Sequence, residues 1–206
     1  MGWFKNLFKK KASVSKKNIP NYLEIVKTLK LDENRLIELR TLKNRFDMTR
    51  ERYEVVSDKV FIEVANEFGN PMKVNFPVDL MFALHFRESS LDFKGVLHNG
   101  ERILGTGRKT KLVPAGRGPF LTWEEAAVDA LMLKKAMFPR EWTLATKLEF
   151  AEKFNGLGYR STSEFSPYVF AGTNFHDETG KYVADGKYSS TAPEKQLGVA
   201  AILLSC

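Results

Sequence analysis

The stretch "NFPVDLMFALHFRESSLDF", Asn75 to Phe93, decides how the middle of the chain folds. Pro77 would lie in the first turn of a helix, where proline is tolerated. One further turn along the apolar stripe of that helix reaches Glu88. The spacing therefore predicts a buried helix that carries a carboxylate on the inner side of its C-terminal end. The stripe consists of Val78, Met81, Phe82 and His85.

Three influences on Glu88 follow from its neighbours in the sequence. The apolar side chains of Phe86, Leu91 and Phe93 would reduce its solvation, and the negative end of the helix also disfavours a carboxylate. Arg87 acts in the opposite direction, but its side chain should point elsewhere on the helix. A glutamate whose pKa is lifted from about 4.3 toward about 6 is a competent general acid near neutral pH. The alternative is a surface glutamate that pairs with one of the cations beside it.

The elements around this helix predict an α-rich α+β fold. Residues 20–68 show amphipathic helical patterns that end at Gly69. Residues 94–121 contain six glycines and two prolines, which favours turns and a small hairpin. Thr122 and Glu125 then predict a capping box at the start of the next helix.

The C-terminal part of the chain is predicted to hold a long loop between two helices. The pattern "TLATKLEFAEKFNGLG" predicts a helix that ends at Gly156. Residues 156–190 would form a loop too long for a simple connector, so we expect functional residues in it. Thr191 and Glu194 predict a second capping box before an apolar final helix. The predicted divisions are a basic amphipathic arm at 1–19, a helical extension at 20–70 and a main domain at 71–206.

The net charge of +7 is concentrated at the N-terminus. Residues 1–19 hold six lysines and no acidic residue, whereas the remainder of the chain is nearly neutral. That distribution argues against specific nucleic-acid recognition, which needs a basic face on the fold. The arm resembles a short interfacial helix that would contact an anionic membrane or a partner protein, and a solvated basic tail is the alternative. Its apolar residues at helical spacing are Trp3, Phe4, Leu7 and Phe8.

Cysteine and histidine content argues against several kinds of site. Cys206 is the single cysteine, so neither an internal disulfide nor a cysteine zinc cluster can form. The three histidines, His85, His98 and His176, have no spacing that indicates a metal site. No run of about 18 apolar residues predicts a membrane span, and no secretory signal pattern is present. We expect neither a metal nor a cofactor.

Several short motifs together resemble a known family. "RESSLDF" at 87–93 and "FNGLGYR" at 154–160 resemble the helix end and the "YNAG"-type turn of lytic transglycosylases and goose-type lysozymes. With "VPAGRGPF", "WEEAAVDAL", "SPYVFAGTN", "GKYVADGKY" and "KQLG", they resemble phage and bacterial lysozyme-like N-acetylmuramidases over roughly residues 75–204. The resemblance implies a lysozyme-like helical domain with a small β or glycine-rich segment, preceded here by the helical extension.

This resemblance implies an activity and a set of site residues. The activity is cleavage of the β-1,4 bond between N-acetylmuramic acid and N-acetylglucosamine in peptidoglycan strands, with Glu88 as the general acid. Asp185, or behind it Asp177 or Asp92, would activate water, although Asp185 also suits a plain turn before glycine. An amide, open backbone and aromatic rings suit a sugar, so the cleft is expected to be lined by Asn155, Tyr159, Tyr168 and Tyr182.

One departure from the family pattern concerns Gln196. A "GLMQ"-like stretch usually lies between the glutamate and the "YNAG" turn, whereas Gln196 follows that turn. A substrate-binding role for Gln196 and the choice between hydrolysis and anhydro-sugar formation therefore stay open. Arg117 is expected to fix its own loop rather than to hold a substrate carboxylate.

A domain that cleaves the bacterial cell wall and lacks an export signal is typical of phage enzymes. Such an enzyme would stay in the host cytoplasm until release to the cell wall, or would travel in the virion with the arm on a virion protein. The rival interpretation is a catalytically inactive glycan-binding or virion structural protein.

Overall fold

The computed structural model describes residues 19–162, 164–184 and 187–206. These residues form a mixture of helices and two small antiparallel sheets, which is an α+β architecture. The predicted arm, apart from Ile19, lies outside the described residues, as does Asp185.

The first two helices pack onto the rest of the molecule. Helix α1 spans Tyr22–Thr28 and is capped by the side chain of Asn21. A 3-10 turn at Glu33–Arg35 leads into α2, which spans Leu36–Ser57. The buried side chains of α2 include Leu39, Leu42 and Phe46, as the amphipathic pattern predicts.

The predicted helix over 20–68 is wrong in its last part. Residues Phe61–Ala65 form strand β1, which pairs with strand β2 at Pro71–Asn75 in an antiparallel hairpin. The carboxamide oxygen of Asn66 accepts backbone hydrogen bonds inside the turn and holds it closed. The local pattern of apolar residues predicted a helix here, because it does not show the pairing strand that lies further along the chain.

Helix α3, Val78–Ser89, is the central helix of the molecule. It begins directly after Pro77 and packs against α2. Its residues from Leu80 to Phe86 are all buried, so the helix is covered on every side rather than along one stripe. Glu88 lies in its last turn, as predicted.

The predicted hairpin within residues 94–121 is also wrong, because this whole segment is described and contains turns without a strand. The Glu101 carboxylate accepts backbone hydrogen bonds from Lys111 and Leu112 at 3.0 and 2.9 Å, which closes the loop. Arg117 forms an ion pair with Asp129, so it fixes the loop as expected.

The next two helices are present as predicted, although the first ends at Met132, before the end of its predicted pattern at Phe138. Helix α4 spans Trp123–Met132 and has the predicted capping box between Thr122 and Glu125. Helix α5 spans Leu144–Asn155 and ends at Gly156, whose φ of 110° is a conformation that favours glycine.

The predicted loop at 156–190 contains regular structure. A 3-10 turn at Gly158–Ser161 precedes the short helix α6 at Pro167–Phe170. Strands β3, Thr179–Ala184, and β4, Lys187–Pro193, then form a second antiparallel hairpin.

The second predicted capping box is wrong because Thr191 belongs to β4. The final helix, α7, spans Val199–Ser205 and is capped by Gly198 without a side-chain hydrogen bond. Gly198 packs so closely on the backbone of Val169 and Ala171 that a side chain would not fit there.

One apolar core joins the elements on both sides of the predicted boundary at 70/71. It contains Leu42 from α2, Leu84 from α3, Leu148 from α5 and Ile202 from α7. The first hairpin also crosses this boundary. The division into an extension and a main domain stays a prediction. Within the described ranges, no helix has the length and apolarity needed to cross a bilayer.

Candidate active site

The end of α3 is held in a defined conformation. Ser90 and Leu91 adopt left-handed backbone with φ of 55° and 64°, and the Ser90 N–H donates to Phe86 O at 2.9 Å. The backbone of Gly100 packs directly on the Glu88 carbonyl oxygen, and a Cβ at Gly100 would overlap that oxygen. Because Gly100 also has a φ of +75°, this position requires glycine, and the close contact fixes the backbone of Glu88.

Glu88 is half-buried, and its carboxyl group has one side-chain hydrogen-bond partner among the described residues. Tyr168 Oη donates a hydrogen bond to Glu88 Oε1 at 2.7 Å. Burial raises the pKa of Glu88 to about 7, against the opposing effects of that hydrogen bond and of the Arg87 and Lys134 charges. The carboxyl can therefore exist in both protonation states near neutral pH, which is the condition for a general acid.

Tyr168 reaches Glu88 from α6. Its ring is buried and lies under the guanidinium of Arg87, whose Cζ is 4.9 Å from the ring centroid. Burial and the neighbouring Glu88 raise the pKa of Tyr168 well above its ordinary value. The phenol therefore stays protonated and acts as a hydrogen-bond donor at every pH at which Glu88 titrates.

Two adjoining cavities meet at the Glu88–Tyr168 pair. Tyr168 lines one of about 520 Å³, and Glu88 lines another of about 460 Å³. Both are also lined by Asn155 and Gly156, so they share a wall at the end of α5. We call them the tyrosine lobe and the lysine lobe of one cleft.

The tyrosine lobe brings together most of the residues predicted to bind a glycan. Asn155, Tyr159, Tyr168 and Tyr182 all line it. Tyr159 Oη accepts a hydrogen bond from the Tyr182 N–H at 3.0 Å, and the two rings meet edge to face. The Asn155 side chain is exposed and has no hydrogen bond to another described residue, so its amide is available to a ligand.

The lysine lobe was not predicted as a binding surface. Besides Glu88 it is lined by Lys134 and Lys153 and by apolar side chains that include Leu133 and Phe154. Lys134 follows α4 and Lys153 lies on α5. Sequence patterns give each lysine an ordinary solvated position, because only the tertiary fold brings the segment after α4 and helix α5 to one cavity.

Arg87 forms no ion pair with Glu88, although its charge lowers the pKa of the Glu88 carboxyl. Its side chain is buried, lines the tyrosine lobe, and lies 3.6 Å from the Glu194 carboxylate. Its Nη1 also donates to the backbone oxygens of Gln196 and Leu197 at 3.1 and 3.2 Å. Arg87 therefore ties the end of α3 to the segment before α7.

Gln196 has an internal hydrogen bond and lines neither lobe of the cleft. Its Nε2 donates to Phe86 O at 2.6 Å, one turn before the end of α3. This contact supports the helix that carries Glu88. A direct role for Gln196 in substrate binding stays a prediction.

Asp92 and Asp177, the alternatives to Asp185 as the second acid, line neither lobe of the cleft. Asp92 accepts a hydrogen bond from the Lys94 N–H and forms an ion pair with Arg102, and these two contacts lower its pKa. Asp177 lines a separate cavity beside Asp32. Among the described residues that line the two lobes, Glu194 is the one carboxylate besides Glu88. Asp185, the first candidate, lies outside the described residues.

The three histidines occupy separate places: His85 lies in the core, His98 lines the lysine lobe, and His176 lines the cavity that also contains Asp177. His85 is buried with its Nδ1 2.9 Å from Tyr53 Oη, and burial lowers its pKa to about 4. His98 Nε2 lies 2.8 Å from the Asp129 carboxylate. No group of three or more His, Cys, Asp or Glu side chains among the described residues is arranged to hold a metal ion.

Comparisons of the chain with family models, curated proteins and solved structures gave no match. The assignment of a function therefore depends on the site itself.

Proposed function

We propose that this protein is a peptidoglycan hydrolase that cleaves the β-1,4 bond between N-acetylmuramic acid and N-acetylglucosamine, with Glu88 as the general acid. One observation carries the proposal. The Glu88 carboxyl, with a pKa raised to about 7, lies where two lobes of a cleft meet, and one lobe is lined by tyrosines and a free amide. Aromatic rings and amides are suited to stacking on sugars and to bonding their hydroxyl and acetamido groups.

The hydrogen bond from Tyr168 determines which oxygen can deliver a proton. Because Oε1 accepts from the phenol, the proton of the neutral carboxyl resides on Oε2, which has no hydrogen bond to another described residue. In the proposed step, Oε2 gives this proton to the glycosidic oxygen. The C1–O bond breaks with its electron pair going to that oxygen, and an oxocarbenium-like sugar remains.

The second half of the reaction requires a nucleophile. Water could attack C1 after losing a proton to Asp185 or to the Glu88 carboxylate formed in the first step. Attack by the muramyl 6-hydroxyl, with Glu88 as the base, would give an anhydro sugar instead. Glu194 is a poor candidate for this role, because its carboxylate is buried against Arg87 at 3.6 Å.

A lysozyme-like arrangement of the helical domain is part of the same proposal. The motif resemblance and the position of a glutamate at the end of a buried central helix support it. We further propose a phage endolysin or a virion-associated lysin, with residues 1–19 contacting an anionic membrane or a virion protein. Pelleting with anionic liposomes, with and without residues 1–19, distinguishes these two partners.

The activity is tested by mass analysis of peptidoglycan digested with the purified protein. We expect muropeptides cut at the muramyl C1, and the product mass distinguishes a reducing end from an anhydro end. Glu88→Gln should lower the rate by at least about 1000-fold, because an amide has no acidic proton to donate. Glu67→Gln makes the same chemical change on the exposed first hairpin and should leave the rate unchanged. Full activity of Glu88→Gln, with the fold intact by circular dichroism, would refute the assignment.

A further inference from the structure

The lysine lobe carries an uncompensated positive charge. Lys134 lines this lobe and forms no ion pair with a described residue. Lys153, the second lysine, lies 2.7 Å from Glu149 on its own helix, so its charge is partly neutralised. Apart from Glu88 itself, no acidic side chain among the described residues lines the lobe.

Two further observations place the Lys134 ammonium group in the space beside Glu88. Its Nζ lies 5.8 Å from the centroid of the Phe154 ring, which lines the same lobe. Its charge also acts on the Glu88 carboxyl, where it opposes the effect of burial. The side chain is only partly exposed, so an anion that entered this lobe would meet Lys134 away from bulk water.

The tyrosine lobe has a different charge balance. Its cations Lys181 and Arg87 both lie near the Glu194 carboxylate, at 3.9 and 3.6 Å. The remaining lining residues include tyrosines, glycines and Asn155, which are neutral. The cleft therefore offers one lobe whose two cations share a neighbouring carboxylate, and one lobe whose Lys134 ammonium group has no ion-pair partner among the described residues.

We propose that Lys134, with Lys153 beside it, makes the lysine lobe the binding site for the carboxylate carried by the muramyl sugar. This inference rests on the proposed function and adds to it the group that distinguishes the substrate from an uncharged N-acetylglucosamine polymer. The carboxylate can belong to the 3-O-lactyl group of a peptide-free strand or to the peptide stem of a substituted one. Both present the same anion to an ammonium group, which can donate up to three hydrogen bonds.

The test measures binding to three soluble oligosaccharides in a background that does not cleave them. Glu88→Gln protein is titrated calorimetrically with chitotetraose, with a peptide-free tetrasaccharide of alternating N-acetylglucosamine and N-acetylmuramic acid, and with its peptide-bearing form. Adding Lys134→Gln should weaken binding of at least one muramyl ligand about 5- to 10-fold and leave chitotetraose binding unchanged. Loss confined to the peptide-bearing ligand identifies the stem carboxylate, and loss confined to the peptide-free ligand identifies the lactyl carboxylate.

Two control variants separate charge from packing. Lys134→Arg keeps the charge and should retain most of the muramyl binding. Lys135→Gln removes the adjacent exposed lysine, which lines neither lobe, and should change none of the three affinities.

Equal weakening for all three ligands, or no change for any, overturns this inference while leaving the proposed hydrolase intact. Failure of the Glu88→Gln protein to bind either muramyl ligand counts against the proposed function itself.

Discussion

The raised pKa of Glu88 predicts how the stability of the folded protein depends on pH, independently of any catalytic role. A carboxyl that binds its proton more tightly in the folded state destabilises that state once the pH is high enough to ionise it. The ordinary pKa of a glutamate side chain is 4.5, and the pKa of Glu88 in the folded protein is about 7. The free energy of unfolding should therefore fall as the pH rises from about 4.5 to about 7. Above that range Glu88 should cause no further loss.

The size of the effect follows from the same two values. Each pKa unit corresponds to about 1.36 kcal/mol, so Glu88 should cost at most about 3 kcal/mol of folding free energy at pH 8. Glu88→Gln removes the titration and keeps an oxygen that can accept the hydrogen bond from Tyr168. The stability of this variant relative to the wild type should therefore rise by up to about 3 kcal/mol between pH 4 and pH 8. For a chain of this length that difference corresponds to a Tm shift of about 6 to 12 °C.

The assay is thermal or urea unfolding of both proteins at several pH values from 4 to 8. Other titrating groups are common to both proteins, so the difference between them isolates Glu88. Glu67→Gln, measured in parallel, makes the same chemical change at an exposed side chain and serves as the reference for Glu88→Gln. A flat difference for Glu88→Gln, or one that falls with rising pH, would show that the carboxyl is solvated and would remove the basis for its role as an acid.

The remaining predictions concern the phenol and the glycine that hold Glu88. Tyr168→Phe removes a hydrogen bond that lowers the pKa of Glu88, so the alkaline limb of the pH–rate profile should move to higher pH and the rate at the optimum should fall about tenfold. Tyr188→Phe is its control, since Tyr188 Oη has no hydrogen bond to another described residue, and an unmoved limb in Tyr168→Phe would contradict the assigned contact. Gly100→Ala should lower the free energy of unfolding by more than about 2 kcal/mol, because the new Cβ would overlap the Glu88 carbonyl oxygen at a positive φ. Gly105→Ala has a similar φ without a nearby atom and should cost only about 1 kcal/mol, so equal costs in chemical denaturation would contradict the close packing at Gly100.

Local patterns in the sequence predict the elements whose signals are local. The central helix, the capping box at Thr122 and the helix end at Gly156 each depend on residues within a few positions of one another. The two hairpins were missed because strand pairing depends on a partner elsewhere in the chain. For Phe61–Ala65 the apolar residues fit a helical stripe as well as a strand, and pairing with Pro71–Asn75 decides between them.

The residues of the candidate site could likewise be predicted only where their signals in the sequence are local. Glu88, Tyr159 and Asn155 can be selected from their own surroundings in the sequence. The bond from Tyr168 to Glu88 spans 80 residues, and nothing near either residue indicates that they meet. A helical projection gives only the direction of the Arg87 side chain. Its partners, the Glu194 carboxylate and backbone oxygens that follow β4, lie too far along the chain to be predicted from it.

The hydrogen bond between Tyr168 and Glu88 also makes the site optically observable. A phenol absorbs in the near ultraviolet, and its absorption responds to the charge on a group bonded to its hydroxyl. Because Tyr168 keeps its own proton while Glu88 gains or loses one, the chromophore follows the neighbouring carboxyl rather than its own ionisation. The protein thus contains an unlabelled internal indicator, and a difference spectrum against Tyr168→Phe would follow the charge state of the acid directly.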